Sequence, residues 1–276
     1  MSSISYLVPR LIRHFLPESV VRFLLLHGWI IRPGMETSNP SGAVERYQQV
    51  LREHGIELSG KRILVLGYGG RFEIGCALIS AGASHVILCE YKVKPDHTFN
   101  RTLLEKYSDS LKLIDNRVEV NPEKLTLVEG DIRQVAIEHV LQPVNIVLSN
   151  SVFEHLVDVP GITRALAALS TEDAACLHFI DLRDHFFKYP FEMLRFSSRK
   201  WYGWLNPTSH HNRLRIWDYR AAFVPVYNEV DIKVLGTDIP AFQKIAAHIQ
   251  PEFKQGSLEE NAVTHISVFA RDLKQG

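Results

Sequence analysis

The segment RILVLGYGGRFEIGCAL, Arg62 to Leu78, runs from an apolar, strand-forming pentad through three glycines into residues that suit a helix. Glycines between a strand and a helix let backbone approach a ligand, and the helix N-terminus favours anionic groups. The same residues also suit a tight strand-to-helix turn that holds nothing. A nicotinamide dinucleotide site would want G-x-G-x-x-G over Gly67, Tyr68, Gly69, Gly70, Arg71 and Phe72. Phe72 stands where the third glycine gives close helix–strand packing, which counts against a pyrophosphate-binding turn.

Outward from that turn, strands and helices alternate. HVILCE (His85 to Glu90), LTLVEGD from Leu125, VNIVLSN from Val144 and ACLHFID from Ala175 read as further strands. Helical spacing is predicted for about Phe72 to Ala81, for a segment with Leu103, Leu104 and Tyr107, and for ITRALAALS. Upstream, TSNPSGAVERYQQVLREHGI reads as a helix with Ser41 as its cap, and THISVFAR near the end reads as a last strand. Strands apolar on both faces that alternate with helices mean an α/β, doubly wound, mostly parallel sheet covered on both sides. The expected divisions are an N-terminal helical extension (1–58), a core (59–184), an aromatic-rich insertion (185–222) and a C-terminal completion of the sheet (223–276).

The 276 residues carry 31 Lys+Arg against 31 Asp+Glu, a formal net charge of zero, so no global basic field attracts nucleic acid. Three widely spaced cysteines, Cys76, Cys89 and Cys176, form no CxxC pair. They argue against a zinc site or a disulfide framework and fit a reducing, cytoplasmic setting. VVRFLLLHGWII, Val20 to Ile31, is too short and too interrupted to span a bilayer, which takes roughly 20 apolar residues. It is expected to pack on the domain or on a second copy, giving a homo-oligomer; a membrane-surface helix is the alternative.

Three features follow at successive strand ends. Glu90 closes the second strand, 23 positions after Gly67, where a carboxylate can accept from a ribose diol. Asp131 follows the third in VEGDI, where it can accept from an adenine amino group with Ile132 against the ring. SNSVFEHL follows the fourth. Taken singly, a strand-end acid is also a solvated cap; four such features in order, the glycine turn included, are much harder to reach by chance.

On VLGYGG, VILCEYK, LVEGDI and NIVLSNSVFEHLVDV, the chain resembles class I S-adenosylmethionine-dependent methyltransferases over about residues 60–182. The resemblance implies a seven-stranded Rossmann-like methyltransferase fold with S-adenosylmethionine as cofactor and S-adenosylhomocysteine as product. It implies that Gly67, Tyr68 and Gly69 line the amino-acid portion, Glu90 with Tyr91 the ribose, and Asp131 with Ile132 the adenine. Ser149 and Asn150 would sit below the sulfonium and its amino group. Val65 and Arg71 stand where many members have an acid and a third glycine, so the methionine end is held differently, through Glu73 or Asn150. HFIDLRDHFFKYPFEMLRFSSRKWYGWLN and RLRIWDY resemble methyltransferases of polysaccharide and natural-product pathways.

Methyl transfer to a hydroxyl needs the acceptor in line with the S–CH3 bond and a base for its proton. His155 after the fourth strand and His185 after the fifth both reach the crevice at the strand ends. His155 equally suits bracing a helix start. His185 stands by Asp181 and Asp184, which could orient it as a base, bind a divalent cation with it, or serve structure alone. His210 and His211 read as loop. Trp201, Trp204 and Trp217 are either the core of a small subdomain or a stacking wall for a sugar. Arg213 and Arg215 alternate and either bind an acidic substrate or face water. The leading expectation is O-methylation of a small molecule or glycan, with the aromatic insertion as a lid and no metal. The alternatives are a nicotinamide-dependent oxidoreductase or epimerase and a non-catalytic binding subunit of the same fold.

Overall fold

The computed structural model describes residues 4–16, 20, 39–91, 93–138, 141–185, 188–206 and 211–275. The apolar segment 21–31 and His210 lie outside them. Among the described residues no helix is long and apolar enough to cross a membrane.

Helix α1 (Ile4–Phe15) and α2 (Pro40–Glu53) precede the sheet. The chain continues through β1 (Arg62–Leu66), α3 (Glu73–Ser80), β2 (His85–Glu90) and the short α4 (His97–Arg101). A hairpin of β3 (Leu111–Ile114) and β4 (Arg117–Val120) leads to β5 (Leu125–Glu129), α5 (Ile132–Glu138) and β6 (Val144–Asn150). Then come α6 (Val159–Ala168), β7 (Ser170–Asp181), α7 (Ile216–Phe223), β8 (Tyr227–Thr237), α8 (Ile239–Ile245) and β9 (Val263–Leu273).

The main sheet has seven strands in the order β5-β2-β1-β6-β7-β9-β8. The first five are parallel, and β9 runs antiparallel between β7 and β8. An all-parallel dinucleotide fold ends instead in the order 3-2-1-4-5-6. Successive residues of β1 enter opposite cores, as a strand's period of two requires. Leu64 and Leu66 join the core under α5, α6 and α7, whereas Ile63 and Val65 join the core under α2 and α3. The strand order reverses between β1 and β6, and the crevice at their carboxyl ends is where such sheets bind ligands.

Four local readings change, the first being the cap of α2: Asn39 rather than Ser41 caps it, its Oδ1 accepting the Gly42 N–H at 3.2 Å. The helix expected through Leu103, Leu104 and Tyr107 stops at Arg101, where the Thr102 hydroxyl donates to the Phe99 carbonyl. Thr, Ser and Asp crowd residues 102–110 and favour such local bonds over a helix; Leu103 and Tyr107 are buried from turns instead. The β3–β4 hairpin turns on Asp115 and Asn116, both at positive φ, the geometry a two-residue hairpin turn needs. The strand beginning at Ala175 starts already at Ser170.

The aromatic insertion is a packed cap rather than an open wall. Phe191, Met193, Leu194, Trp201 and Leu205 share a core with Phe242, Ile249 and Ala262. Trp201 is fully buried, and its indole N–H donates to the His211 carbonyl at 3.1 Å, so it is no stacking surface. Trp204 is exposed against His14 of α1. Helix α1 closes the cap: the Tyr6 hydroxyl and Arg10 both donate to Asp184, and Arg10 lies over the Trp201 ring. The opposite side of α1 leaves Ile4, Ile12 and Phe15 exposed.

Arg213 and Arg215 do not reach a substrate. Positive φ at Arg213 breaks the extended alternation on which their common side depended. Arg213 donates to the Met193 and Phe196 carbonyls and to Ser198, and Arg215 donates to the carbonyls of Leu182, Asn261 and Val263. Both guanidinium groups are buried, and they satisfy carbonyls where cap and sheet meet.

Ser149 points into the same interior. Its hydroxyl bonds His178 Nδ1 at 2.8 Å on the neighbouring strand, so it is not under the crevice. Burial pulls the His178 pKa down to about 3. A histidine with a folded pKa below its unfolded value of about 6.5 binds fewer protons when folded. Its contribution is therefore complete above that value and is lost as pH falls toward 3, by at most about 1.4 kcal/mol per pH unit. His178→Gln is expected to give a shallower fall of urea midpoint between pH 6 and pH 4 than the wild type. Parallel curves would show that His178 does not carry this dependence.

Candidate functional site

At the carboxyl end of β1, Gly67, Gly69 and Gly70 all take positive φ. A Cβ on Gly67 would lie 2.4 Å from Val152 Cγ2, and one on Gly70 would lie 2.5 Å from the Lys94 carbonyl oxygen. Only glycine fits both the conformation and the space. Phe72, in the place of the third glycine, is fully buried. Its N–H donates to Asn100 Oδ1 at 2.9 Å, while Asn100 Nδ2 donates to the Gly70 carbonyl at 3.0 Å. Asn100 thus ties the turn to α4, a role its position in the sequence did not reveal.

Glu90 folds back onto the turn. Its Oε2 accepts from the Gly69 N–H at 3.1 Å and its Oε1 from the Tyr91 N–H at 3.0 Å. Carboxylate oxygens have further acceptor capacity, so the arrangement fits a ribose diol. Tyr68 is buried, and Tyr91 is exposed beside Glu90. Asp131 is engaged by Arg133, which donates to it from side chain and backbone and bridges on to Asp158. The bond from Arg133 holds the Asp131 carboxyl below its ordinary pKa. Ile132 is buried beside it at the start of α5.

The DLRDH segment does not converge as its spacing suggested. Asp181 accepts from Arg183 Nε at 3.0 Å and lies 3.4 Å from His265 Nε2. Burial alone would raise its pKa, but His265 and Arg183 hold it below the usual carboxylate range. Asp184 is fully buried in its bonds to Tyr6 and Arg10. These bonds point it at helix α1, and an Asp181–Asp184–His185 site for a base or cation is not assembled.

His185 turns instead toward His155 and His211. Ring centroids are 4.8 Å apart for His155–His185, 5.0 Å for His185–His211 and 6.0 Å for His155–His211. Glu154, in the 3-10 turn Phe153–His155, completes the group. Glu154 is fully buried, and neither carboxylate oxygen has a hydrogen-bond partner. Burial drives its pKa well above the ordinary value; the nearby amides of Glu154 and Asp181 pull weakly the other way without reaching bonding geometry. Burial, with His185 and His155 alongside, pushes the His211 pKa well below its ordinary value.

The cap builds this cluster. Trp201 Nε1 and Asn206 Nδ2 both donate to the His211 carbonyl. The π-helical turn Trp201–Leu205 brings them together, with Asn206 N–H donating to the Trp201 carbonyl at 2.9 Å. Asn212 then fastens cap to core. Its Nδ2 donates to the carbonyls of Phe153 at 2.7 Å and Leu156 at 3.0 Å, and its N–H donates to the Glu154 carbonyl at 2.8 Å. Sequence reading missed Glu154 and Asn212 and left His211 as loop. The signal was an acid inside the apolar run SVFEHL, next to a histidine.

A cavity of about 200 Å³ lies beside Asn150 and Ser151, lined also by Arg46, Phe179, Asp181 and His265. The Arg46 guanidinium lies 3.5 Å from the centre of the Phe179 ring. Among the described residues no carboxylate is within ion-pair distance of it. Arg46, which the sequence offered only as part of a helix, is thus a cation facing a cavity at the strand ends.

No protein-family model matches the chain, and a search of curated proteins finds no match. Solved structures do match in fold. A Galdieria sulphuraria protein, provisionally described as a sarcosine dimethylglycine methyltransferase, is 14% identical with a TM-score of 0.51, covering 93% of this chain and 98% of its own. An S-adenosylmethionine-dependent methyltransferase from Mesorhizobium loti is 16% identical with a TM-score of 0.45, over 81% of this chain and 96% of its own. Magnesium protoporphyrin IX methyltransferase from Synechocystis, with S-adenosylhomocysteine bound, is 13% identical with a TM-score of 0.46, over 85% and 83%. The chain has the class I methyltransferase fold, with β9 antiparallel beside β7.

Asn212→Ala removes two side-chain bonds to the 3-10 turn at a buried site. A loss of about 1–3 kcal/mol of stability is expected. Hydrogen exchange should rise at residues 151–156 more than in β1 or β6. A uniform rise across the sheet would show that Asn212 does not specifically hold this turn.

Proposed function

We propose that the protein is an S-adenosylmethionine-dependent methyltransferase that methylates a hydroxyl of a small molecule or glycan. The observation that carries this reading is the contact of Gly67 with Val152. It sets the glycine turn, with Glu90 folded on it, next to the segment bearing Glu154 and His155. One side of the switch point thus has a glycine turn and a carboxylate that suit close backbone approach to the cofactor and its ribose, and the other has a cluster of imidazoles. The strand order favours this reading over a nicotinamide oxidoreductase, which would want a parallel sixth strand and a third glycine at Phe72.

The residues divide the work. Gly67, Gly69 and Gly70 let backbone approach the cofactor, and Glu90 accepts from its ribose. Asp131, steadied by Arg133, stands at the adenine end with Ile132. Asn150 and Arg46 line the cavity at the ends of β6 and β7, where Arg46 supplies the positive charge for a carboxylate. The cofactor, when bound, supplies an activated methyl group on a sulfonium. The chain must hold the acceptor oxygen in line with that methyl and let its proton leave. We place that oxygen among His155, His185 and His211, beneath the cap to which residues 188–206 and 211–222 contribute. A non-catalytic role leaves the gathering of three histidines around a buried, unpartnered carboxylate without a purpose.

Calorimetric titration with S-adenosylhomocysteine and with NAD tests the reading. Binding of the first and none of the second is expected. Binding of NAD alone would overturn it. Glu90→Ala should weaken S-adenosylhomocysteine roughly 10- to 150-fold, the equivalent of a charged hydrogen bond of about 1.5–3 kcal/mol. Arg46→Ala should weaken it over the same range. An unchanged affinity in a folded Arg46→Ala protein would remove Arg46 from the cofactor site and leave its cavity to the acceptor.

A further inference from the structure

We infer that Glu154, His155 and His185 form a binding site for a first-row divalent transition-metal ion, with His211 as a hydrogen-bond donor beside it. The inference deepens the functional reading above and rests on it for the ion's role, but not for the ion's binding.

Geometry comes first. One carboxylate oxygen of Glu154 and one ring nitrogen from each of His155 and His185 lie within 4.8 Å of one another. Ligands about 2.1 Å from a tetrahedral ion stand about 3.4 Å apart. Closing that difference takes a movement of about an ångström, within the reach of ordinary side-chain torsions. The two histidines are only partly buried, so an ion can enter from their side.

The second observation is the state of Glu154. It is fully buried with both oxygens unpartnered. A carboxylate in that position is costly unless it is paired or binds a metal. Among the described residues no cationic side chain is within ion-pair distance of it. Arginines of the surrounding elements are committed elsewhere: Arg183 to Asp181, Arg215 to three carbonyls, and Arg10 to Asp184. A metal ion between Glu154 and the two imidazoles would provide the missing charge.

The third is the surrounding shell. The chain fixes the backbone on both sides of the group, through Asn212 at Glu154 and through Trp201 and Asn206 at His211. His211 Nδ1 accepts the Arg213 N–H at 3.4 Å, which leaves the hydrogen on Nε2. That Nε2 is buried and has no partner among the described residues. It can donate to an oxygen on the ion but cannot take that oxygen's proton, so it suits an outer-sphere contact.

The donor set selects the metal class. Two imidazoles and one carboxylate suit zinc, manganese, iron(II), cobalt or nickel, whereas magnesium and calcium prefer all-oxygen sites. Three protein ligands leave a position open, the arrangement of a catalytic rather than a structural site. The acceptor hydroxyl would occupy it. An ion lowers the pKa of a bound hydroxyl, so the proton passes to solvent water before transfer. The oxygen then forms its bond to the methyl carbon as the S–C bond breaks, and that electron pair returns to sulfur. The products are an ether and a neutral thioether, and the metal keeps its oxidation state. In this arrangement His155 and His185 act as ligands, and neither serves as the base.

The full chain should be stripped with EDTA, dialysed and titrated with Co(II), following the visible ligand-field absorption, with Zn(II) binding measured by equilibrium dialysis. One equivalent is expected, with absorption typical of four- or five-coordinate cobalt. Glu154→Gln, which keeps shape and removes the charge, should weaken Co(II) by at least about 10-fold. Zn(II) should raise the melting temperature of the wild type and not of Glu154→Gln, which also reports whether the variant folds. His155→Ala with His185→Ala should abolish the absorption. The inference is overturned if no stoichiometric ion binds, or if Co(II) affinity in Glu154→Gln and in the double-histidine variant equals that of the wild type. Titration of the same samples with S-adenosylhomocysteine separates the two claims. Metal binding without S-adenosylhomocysteine binding refutes the methyltransferase reading and leaves the metal site standing. S-adenosylhomocysteine binding without metal refutes the metal site alone.

Discussion

The close approach of the glycine turn to the segment after β6 governs the rest of the structure. Gly67 has room for no Cβ because Val152 occupies that space. Both residues sit where the strand order reverses, so their contact sets the width of the crevice. Two residues beyond Val152 comes Glu154, and one more brings His155. A bulkier residue at 67 would displace the cradle and the imidazole cluster at once. The local conformation of one glycine thus fixes the distance between the two halves of the site.

The second determinant is the way the cap is fastened. It is held by buried polar groups as much as by its own apolar core. Asp184 receives Tyr6 and Arg10, which brings an N-terminal helix onto a segment that follows the fifth parallel strand. Arg215 joins the end of β7 to the start of β9 through three carbonyls. Asn212 joins cap to core at the 3-10 turn. Each of these groups would be costly if left alone in the interior, so each requires its partner's position. That requirement gives a cap with one seating, which suits a roof over a reacting group better than a loosely packed loop does.

This division explains what the sequence could and could not show. The parallel strands were legible because both of their faces are apolar, as in VNIVLSN and HVILCE. The glycine turn and Glu90 were legible because backbone conformation and strand-end position constrain residue type. Strand β8, YNEVDIKVLGT, was not, since an edge strand half open to solvent carries polar residues along most of its length. Arg213 and Arg215 read as surface charges because arginine is seldom buried; nothing local announces that distant carbonyls await them. Asp184 and His185 are neighbours in sequence, yet their side chains go to different partners, and only the packing of α1 decides that. The histidine cluster draws on positions 155, 185 and 211, which no spacing rule connects.

The same packing explains why a buried, unpartnered glutamate can persist at all. Glu154 sits on a single 3-10 turn whose carbonyls are already taken by Asn212. The turn cannot rotate its carboxylate out to solvent without breaking those bonds. Nor can the neighbouring acids share the burden, since Asp181 and Asp184 are held by Arg183, His265, Tyr6 and Arg10. The neighbouring acids at the crevice mouth are therefore held and this one is not, and two partly accessible imidazoles are set beside it. A buried acid left unsatisfied where the neighbouring acids are both satisfied is more simply explained by a ligand than by poor packing. The charge and the donor atoms around it decide which ligand: a cation that accepts both nitrogen and oxygen.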